Sequence, residues 1–192
     1  MRIIAGTLRG RGIRMPAEAG VRPTSDRVRE AIASALHAKN RIEGRRMLDL
    51  FSGSGAMGLE ILSRGGAHVL AVDRNRKLTQ SLQRTAESLG VGTRLTTLNL
   101  DLFRLDRAIA RLKTVPGPWN LIFMDPPYDD LHRVEALPSA LAAHALVTAD
   151  ATFVCEHRTK DSIDLGPALQ ITDTYRYGDT TVTMAALSET KT

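Results

Sequence analysis

The sequence has one cysteine, few aromatic residues and no long apolar run. Cys155 has no second cysteine with which to close an internal disulfide, which fits a reducing compartment. Aromatic residues make up 4% of the chain, too few for an RNA binder that works mainly by stacking several bases on an exposed sheet. No stretch approaches the roughly 20 apolar residues that a bilayer span needs. The opening residues, Met1-Arg2-Ile3-Ile4-Ala5-Gly6, lack the apolar core of a secretion signal. Residues 1–17 hold four arginines and no acid, as a transit peptide would. Gly6, Gly10 and Gly12 spoil an amphipathic helix there, so a cytoplasmic location is the expectation. The five histidines (His37, His68, His132, His144, His157) show no metal-ligand spacing, and Cys155-Glu156-His157 alternates between the faces of a strand, so no metal site is expected.

Acid is also scarce at the front. Residues 1–46 carry eleven basic groups, ten of them Arg, against four acidic ones, for a net +7; the remainder nets −2, and the whole chain +5. The planar fork of Arg suits phosphate better than the point charge of Lys. An anionic polymer is one reading of this segment and a solvated basic face the other; charge alone does not separate them.

What is present is an ordinary globular composition over 192 residues, 43% hydrophobic and 24% charged, which suits one domain with a real core. Residues 2–5 and 12–15 are short apolar runs around a Gly/Arg turn and predict a small hairpin or arm. Thr24-Ser25-Asp26 opens a helix with Val28, Ile32 and Leu36 as its buried stripe. Apolar runs at 47–51, 69–72, 95–100, 121–124 and 152–155 then alternate with helical spacing, such as Leu78, Leu82 and Leu89, or Ile109 and Leu112. Short continuous apolar runs alternating with helices predict buried parallel strands in a doubly wound α/β sheet. The runs 169–177 and 181–187, joined by Gly178-Asp179, must pair antiparallel, because a parallel crossover needs a dozen or more residues. Trp119 is expected to anchor the fourth core strand.

After the first core strand comes Asp49-Leu50-Phe51-Ser52-Gly53-Ser54-Gly55-Ala56-Met57-Gly58, and Asp73 ends the second strand twenty residues beyond Gly53. Glycines in such a turn let backbone approach a ligand and the helix closely, while an acid at the next strand end can accept both ribose hydroxyls. The pattern indicates a nucleoside-containing cofactor. A dinucleotide, and with it an NAD-linked oxidoreductase, fits Gly53-x-Gly55-x-x-Gly58. Asp49 tips the choice, because a carboxylate there would repel a pyrophosphate and attract a cationic amino-acid group. The series Asp49-x-Phe51-x-Gly53-x-Gly55, then Asp73, then Asp101, resembles the class I S-adenosylmethionine-dependent methyltransferases. That resemblance implies that Asp49 and the glycine loop hold the methionyl part and Asp73 the ribose, with Asp101 and Leu102 flanking the adenine. Asp101 also reads as an N-cap for a helix over 102–113.

The fourth strand ends in Asp125-Pro126-Pro127-Tyr128, at the sheet edge where open α/β folds bind ligands. Two prolines fix φ and leave carbonyls with no competing N–H. Asp125 and the Pro126 carbonyl can accept the two hydrogens of an exocyclic amine while Tyr128 stacks on its ring. This box marks amino-methyltransferases acting on adenine N6, cytosine N4, guanine N2 or a glutamine amide.

With Arg22-Pro-Thr24-Ser-Asp-Arg27, Ser63-Arg64-Gly65 and Tyr177-Gly178-Asp179-Thr180, the chain resembles, nearly end to end, the bacterial 16S ribosomal RNA guanine-N2 methyltransferases of the RsmD type. The resemblance implies a seven-stranded, mostly parallel Rossmann-like sheet with a C-terminal antiparallel hairpin. It divides the chain into a basic arm at 1–21 and a methyltransferase domain at 22–192. It implies Arg9 and Arg11 of the arm gripping phosphate, and Arg22, Thr24 and Arg27 over the active-site mouth, near RNA or the methionyl end of the cofactor. It also implies a guanine of ribosomal RNA, within the small subunit, as the target; nothing in the residues demands more than a monomer, which is the expectation. At Asp73 relatives often carry Glu, a change the ribose role survives. The residues themselves do not distinguish guanine from adenine, and a non-catalytic RNA-binding assembly factor would also use the basic arm.

Overall fold

The computed structural model describes residues 1–14 and 25–188. Arg22 and Thr24 lie outside the described residues. The chain divides into two compact units, Met1–Leu100 and Asp101–Thr192.

The first unit alternates helix and strand: α1 (Asp26–Ala38), β1 (Arg46–Leu50), α2 (Ala56–Ser63), β2 (His68–Asp73), α3 (Arg76–Ser88) and β3 (Leu95–Asn99). Its strands run parallel in the order β3-β2-β1, with Asp49 opposite Ala71 and Asp73 opposite Asn99. Ser25 caps α1, its hydroxyl accepting the Val28 N–H at 3.2 Å, and Val28, Ile32 and Leu36 form the expected buried stripe. Asn75 caps α3 by accepting from Lys77 and Leu78 N–H. The stripe of α3 ends sooner than the spacing suggests: Leu78 and Leu82 are buried, but Leu89 is the half-buried C-cap. All eight residues of α2 are buried, which its apolar sequence favours and which sets strict terms for its two polar members, Glu60 and Ser63.

The described part of the arm closes on itself through an antiparallel bridge, Arg2 with Gly12, flanked by Ile3 N–H to the Arg11 carbonyl at 3.0 Å and Ile13 N–H to the Met1 carbonyl at 3.0 Å. Alternation puts Ile3 and Ile13 inside while Arg2, Arg9, Arg11 and Arg14 stay exposed.

The second unit contains α4 (Leu105–Leu112), β4 (Trp119–Met124), a short 3-10 helix (Tyr128–Arg133), α5 (Ala136–Ala143), β5 (Val147–Arg158), β6 (Leu169–Tyr177) and β7 (Thr180–Leu187). β4 and β5 are parallel, β5 and β7 antiparallel, and β6 pairs antiparallel on the outer side of β7. The expected C-terminal hairpin is therefore β6–β7, with its second strand inserted next to β5. Trp119 is wholly buried at the start of β4, as expected. The β1–β2, β2–β3 and β4–β5 pairs are parallel and the two pairs that β7 makes, with β5 and with β6, antiparallel, so the seven strands give the mostly parallel α/β class that the sequence predicts.

Candidate functional site

Two segments carry the predicted chemistry, one in each unit. In the first unit β1 delivers Asp49, 1% exposed, beside the start of α2; its Oδ2 accepts the Gly58 N–H at 3.2 Å. A Cβ at Gly58 would lie 3.1 Å from that oxygen and 2.9 Å from Val69 Cγ1, so the third glycine is needed for helix and strand to approach. Between them the chain turns through left-handed backbone at Phe51 (φ 61°), Gly53 (φ 52°) and Gly55 (φ 71°). Gly55 caps α2, and a Cβ there would meet the Leu82 side chain at 2.3 Å.

The loop is held from β2. The carboxylate of Asp73 accepts Gly53 N–H at 2.8 Å and Asn75 N–H at 2.7 Å, one on each oxygen. The Ser52 N–H reaches the Val72 carbonyl at 3.0 Å, and Gly55 N–H the Ser52 carbonyl at 2.7 Å. Ser52 Oγ is buried with no hydrogen-bond partner among the described residues. A glycine cradle, two acceptor carboxylates and an orphaned hydroxyl fit a ligand that brings an ammonium and ribose hydroxyls. Each Asp73 oxygen has a second lone pair for a ribose hydroxyl while it holds the loop.

In the second unit Asp125 follows β4 half-buried, Pro126 is buried and Pro127 exposed. The Pro127 carbonyl is engaged by Asp130 N–H at 2.9 Å, where the 3-10 helix begins. Tyr128 is fixed at both ends of its side chain. Its hydroxyl lies 3.5 Å from Glu156 Oε1 and 3.2 Å from Thr180 Oγ1, and the Arg158 guanidinium sits 5.0 Å from the ring centroid. Arg158 is itself tied to Asp129 at 2.8 Å. Tyr128 thus presents a ring of fixed tilt, with one face given to Arg158.

Asp101 does not cap a helix over 102–113, as the sequence suggests. Its Oδ1 accepts Phe103 N–H at 3.1 Å in a local turn, and α4 begins only at Leu105. Local aspartate turns compete with helix starts, and here the turn wins. Leu102 is buried. Cys155 is buried too; desolvation, then the nearby carboxylates of Asp125, Glu156 and Glu135, push its thiol up, out of nucleophile range.

Among the basic candidates, Arg9, Arg11 and Arg27 are exposed. Sequence reasoning missed Glu60, Arg29, Glu156, Arg158 and Thr180. Glu60 and Glu156 carry a usable signal, a lone carboxylate in an otherwise apolar helix or strand. Arg29 has none; it reads as one more basic residue, yet it is 1% exposed and donates to the Arg2 carbonyl at 2.8 Å.

A family model described as "Conserved hypothetical protein 95" matches residues 1–186. Among named relatives, YlbH of Bacillus subtilis, which carries a provisional rRNA methyltransferase name, is 34% identical over 157 residues, 82% of each chain. Ribosomal RNA small subunit methyltransferase D of Escherichia coli is 37% identical over 129 residues, which are 67% of this chain and 60% of that protein. A solved structure from Escherichia coli, provisionally called the methyltransferase yhhF, superposes with a TM-score of 0.78 at 28% identity over 97% of both chains.

Proposed function

The chain belongs to the family described as Conserved hypothetical protein 95, the family of the RsmD-type enzymes, and on that premise we propose that it methylates the N2 amine of a guanine in small-subunit ribosomal RNA, using S-adenosylmethionine. The observation that carries the reading is the Asp73–Gly53 tie across a loop whose other walls are Asp49 and the orphaned Ser52 hydroxyl. It is a cradle for a ribose and an amino-acid ammonium, not for a pyrophosphate.

When bound, the cofactor supplies an electrophilic methyl group on a sulfonium sulfur. Asp49 and the backbone of residues 51–55 hold its methionyl end, and Asp73 its ribose; Asp101 and Leu102 flank the adenine. Asp125 and the Pro126 carbonyl accept the two hydrogens of the target amine. Its lone pair is delocalised into the ring, so holding both N–H bonds at fixed acceptors aligns a poor nucleophile and offsets the positive charge that builds on nitrogen. Asp125 takes the proton released after transfer, directly or through water. Pro127 stiffens the turn. Tyr128, its tilt set by Glu156, Thr180 and Arg158, offers a flat surface to a base swung out of its stack. Arg9 and Arg11 hold phosphate; Arg27, and by the family resemblance Arg22, are assigned to RNA, and Thr24 to the cofactor.

The fold has no helix long and apolar enough to cross a membrane among the described residues. We place the enzyme in the cytoplasm, acting as a monomer on RNA of the small subunit. The test is to supply small subunits that lack their guanine-N2 methyl groups, and naked RNA beside them, with labelled cofactor, and to map the product by mass spectrometry. Label on guanine N2 is expected. Label on adenine N6, or none on either substrate, overturns the assignment.

A further inference from the structure

The basic arm is not merely attached to the first unit; it is bolted to the far end of the helix that the cofactor loop begins. Glu60, 0% exposed, receives two arm N–H groups, Ile4 on Oε2 at 2.8 Å and Ala5 on Oε1 at 3.0 Å. Arg64 donates to Oε1 at 2.8 Å, and the buried Arg29 stands 4.0 Å from Oε2. One turn on, the Ser63 carbonyl accepts Thr7 N–H at 2.8 Å, and its hydroxyl accepts Leu8 N–H at 2.9 Å while donating to the Ala5 carbonyl. Gly6 passes so close that a Cβ would lie 2.0 Å from the Ser63 carbonyl oxygen. The other end of the arm touches the cofactor loop itself. Ser54 Oγ donates to Met1 Sδ at 3.6 Å and accepts Ala56 N–H at 3.3 Å, and Ser81 on α3 donates to the Arg14 carbonyl at 3.2 Å.

A buried carboxylate is costly unless its lone pairs are filled, and here the arm fills them with charge-assisted bonds. Docking the arm therefore completes the hydrogen bonding of the buried Glu60 carboxylate, fixes the turn that carries Arg9, and braces Ser54 within the glycine loop. From this we infer that Glu60 is a positioning residue that makes arm and cofactor loop one mechanical piece, so that RNA gripped by the arm and cofactor held by the loop strengthen each other. The inference rests on the reading of the arm as the RNA grip. Both ligands favour the docked arm over the undocked one, and a shared preference of this kind is positive coupling, equal in both directions.

The experiment is calorimetric titration of S-adenosylhomocysteine with and without a saturating small-subunit RNA transcript, on the wild-type chain, Glu60→Gln and Gly6→Ala. Gly6→Ala forces the arm off Ser63 without touching the charge on α2. In the wild type RNA should tighten cofactor binding by about fivefold or more, the lower end of ordinary coupling. In both variants that ratio should fall toward one. An unchanged ratio in variants that melt cooperatively overturns the inference. If both variants fail to fold, the wild-type ratio decides alone, and a value of one with RNA bound overturns the inference. Salt titration of RNA binding separates the two levels: a slope indifferent to Arg9 and Arg11 sinks the RNA-grip reading, whereas a slope that depends on them, with no coupling, sinks only the role of Glu60.

Discussion

Asp73 Oδ2 accepts the backbone N–H of Gly53 at 2.8 Å, linking the end of β2 to the middle of the loop that follows β1. The acid assigned to the ribose also shapes the loop assigned to the methionyl group. On that proposed assignment any substitution there acts twice, on the ligand and on the backbone that receives it.

Asp73→Asn keeps one acceptor and removes the charge. Losing charge-assisted hydrogen bonds of about 1.5–3 kcal/mol weakens S-adenosylhomocysteine binding by roughly tenfold to a hundredfold. Calorimetry checks this, with NADH run alongside as the dinucleotide control. Unchanged affinity removes Asp73 from the cofactor site, and tight NADH binding with none for the homocysteine compound reverses the choice of cofactor.

Asp125→Ala should abolish methyl transfer, lowering kcat by about a hundredfold or more, because it removes an amine acceptor and the proton's destination together. Cofactor affinity should stay within about twofold. Single-turnover methylation with saturating cofactor is the measurement, and retained turnover excludes Asp125 from the chemistry.

Arg9→Ala combined with Arg11→Ala removes two exposed cations from the arm. Each phosphate no longer neutralised lowers the slope of log K against log salt by about 0.7–0.9, so the pair should flatten it by about 1.5. An unchanged slope makes the two side chains bystanders.

His68 gives the first unit a pH dependence. Burial, then the Arg46 charge, holds its imidazole below the usual value of 6.5. The unfolded chain therefore takes up a proton before the folded one does, and stability falls as the pH drops below about 6.5 until the folded-state pKa is passed. Melting temperature followed from about pH 7.5 to about pH 5.5 should fall less steeply for His68→Gln than for the wild type. Equal slopes would show that His68 does not contribute.

Cys155 is 2% exposed on β5, with its thiol pushed up by burial. The native chain should resist alkylation at about pH 8 and react once denatured, as mass spectrometry of iodoacetamide adducts will show. Rapid labelling of the native chain would mean that β5 opens readily.

The sequence was most legible where constraints are local. A strand end, a glycine turn and a helix start within ten residues leave few backbone solutions, so Asp49, Gly53, Gly55 and Gly58 could be placed together, and Asp73 from its place at the end of the next strand, twenty residues beyond Gly53. The stripe of α1 was legible for the same reason. Arg29 was not, because its burial depends on a carbonyl 27 residues away and on Glu60 in another helix. Tyr128 was legible as a flat surface, but its clamp comes from β5 and β7, brought beside it only by tertiary pairing. Asp101 misled because a two-residue aspartate turn and a helix cap use the same residue type.

Gly6 leaves one consequence for how such chains diverge. With the carbonyl of Ser63 at 2.0 Å from where its Cβ would stand, and φ at +81°, position 6 admits no side chain while the arm is docked. The obstacle is backbone, so no change of side chain at 63 relieves it. Descendants of this sequence should therefore hold glycine at 6 for as long as they hold an acceptor at 60. A lineage that loses one should be found to have lost the other.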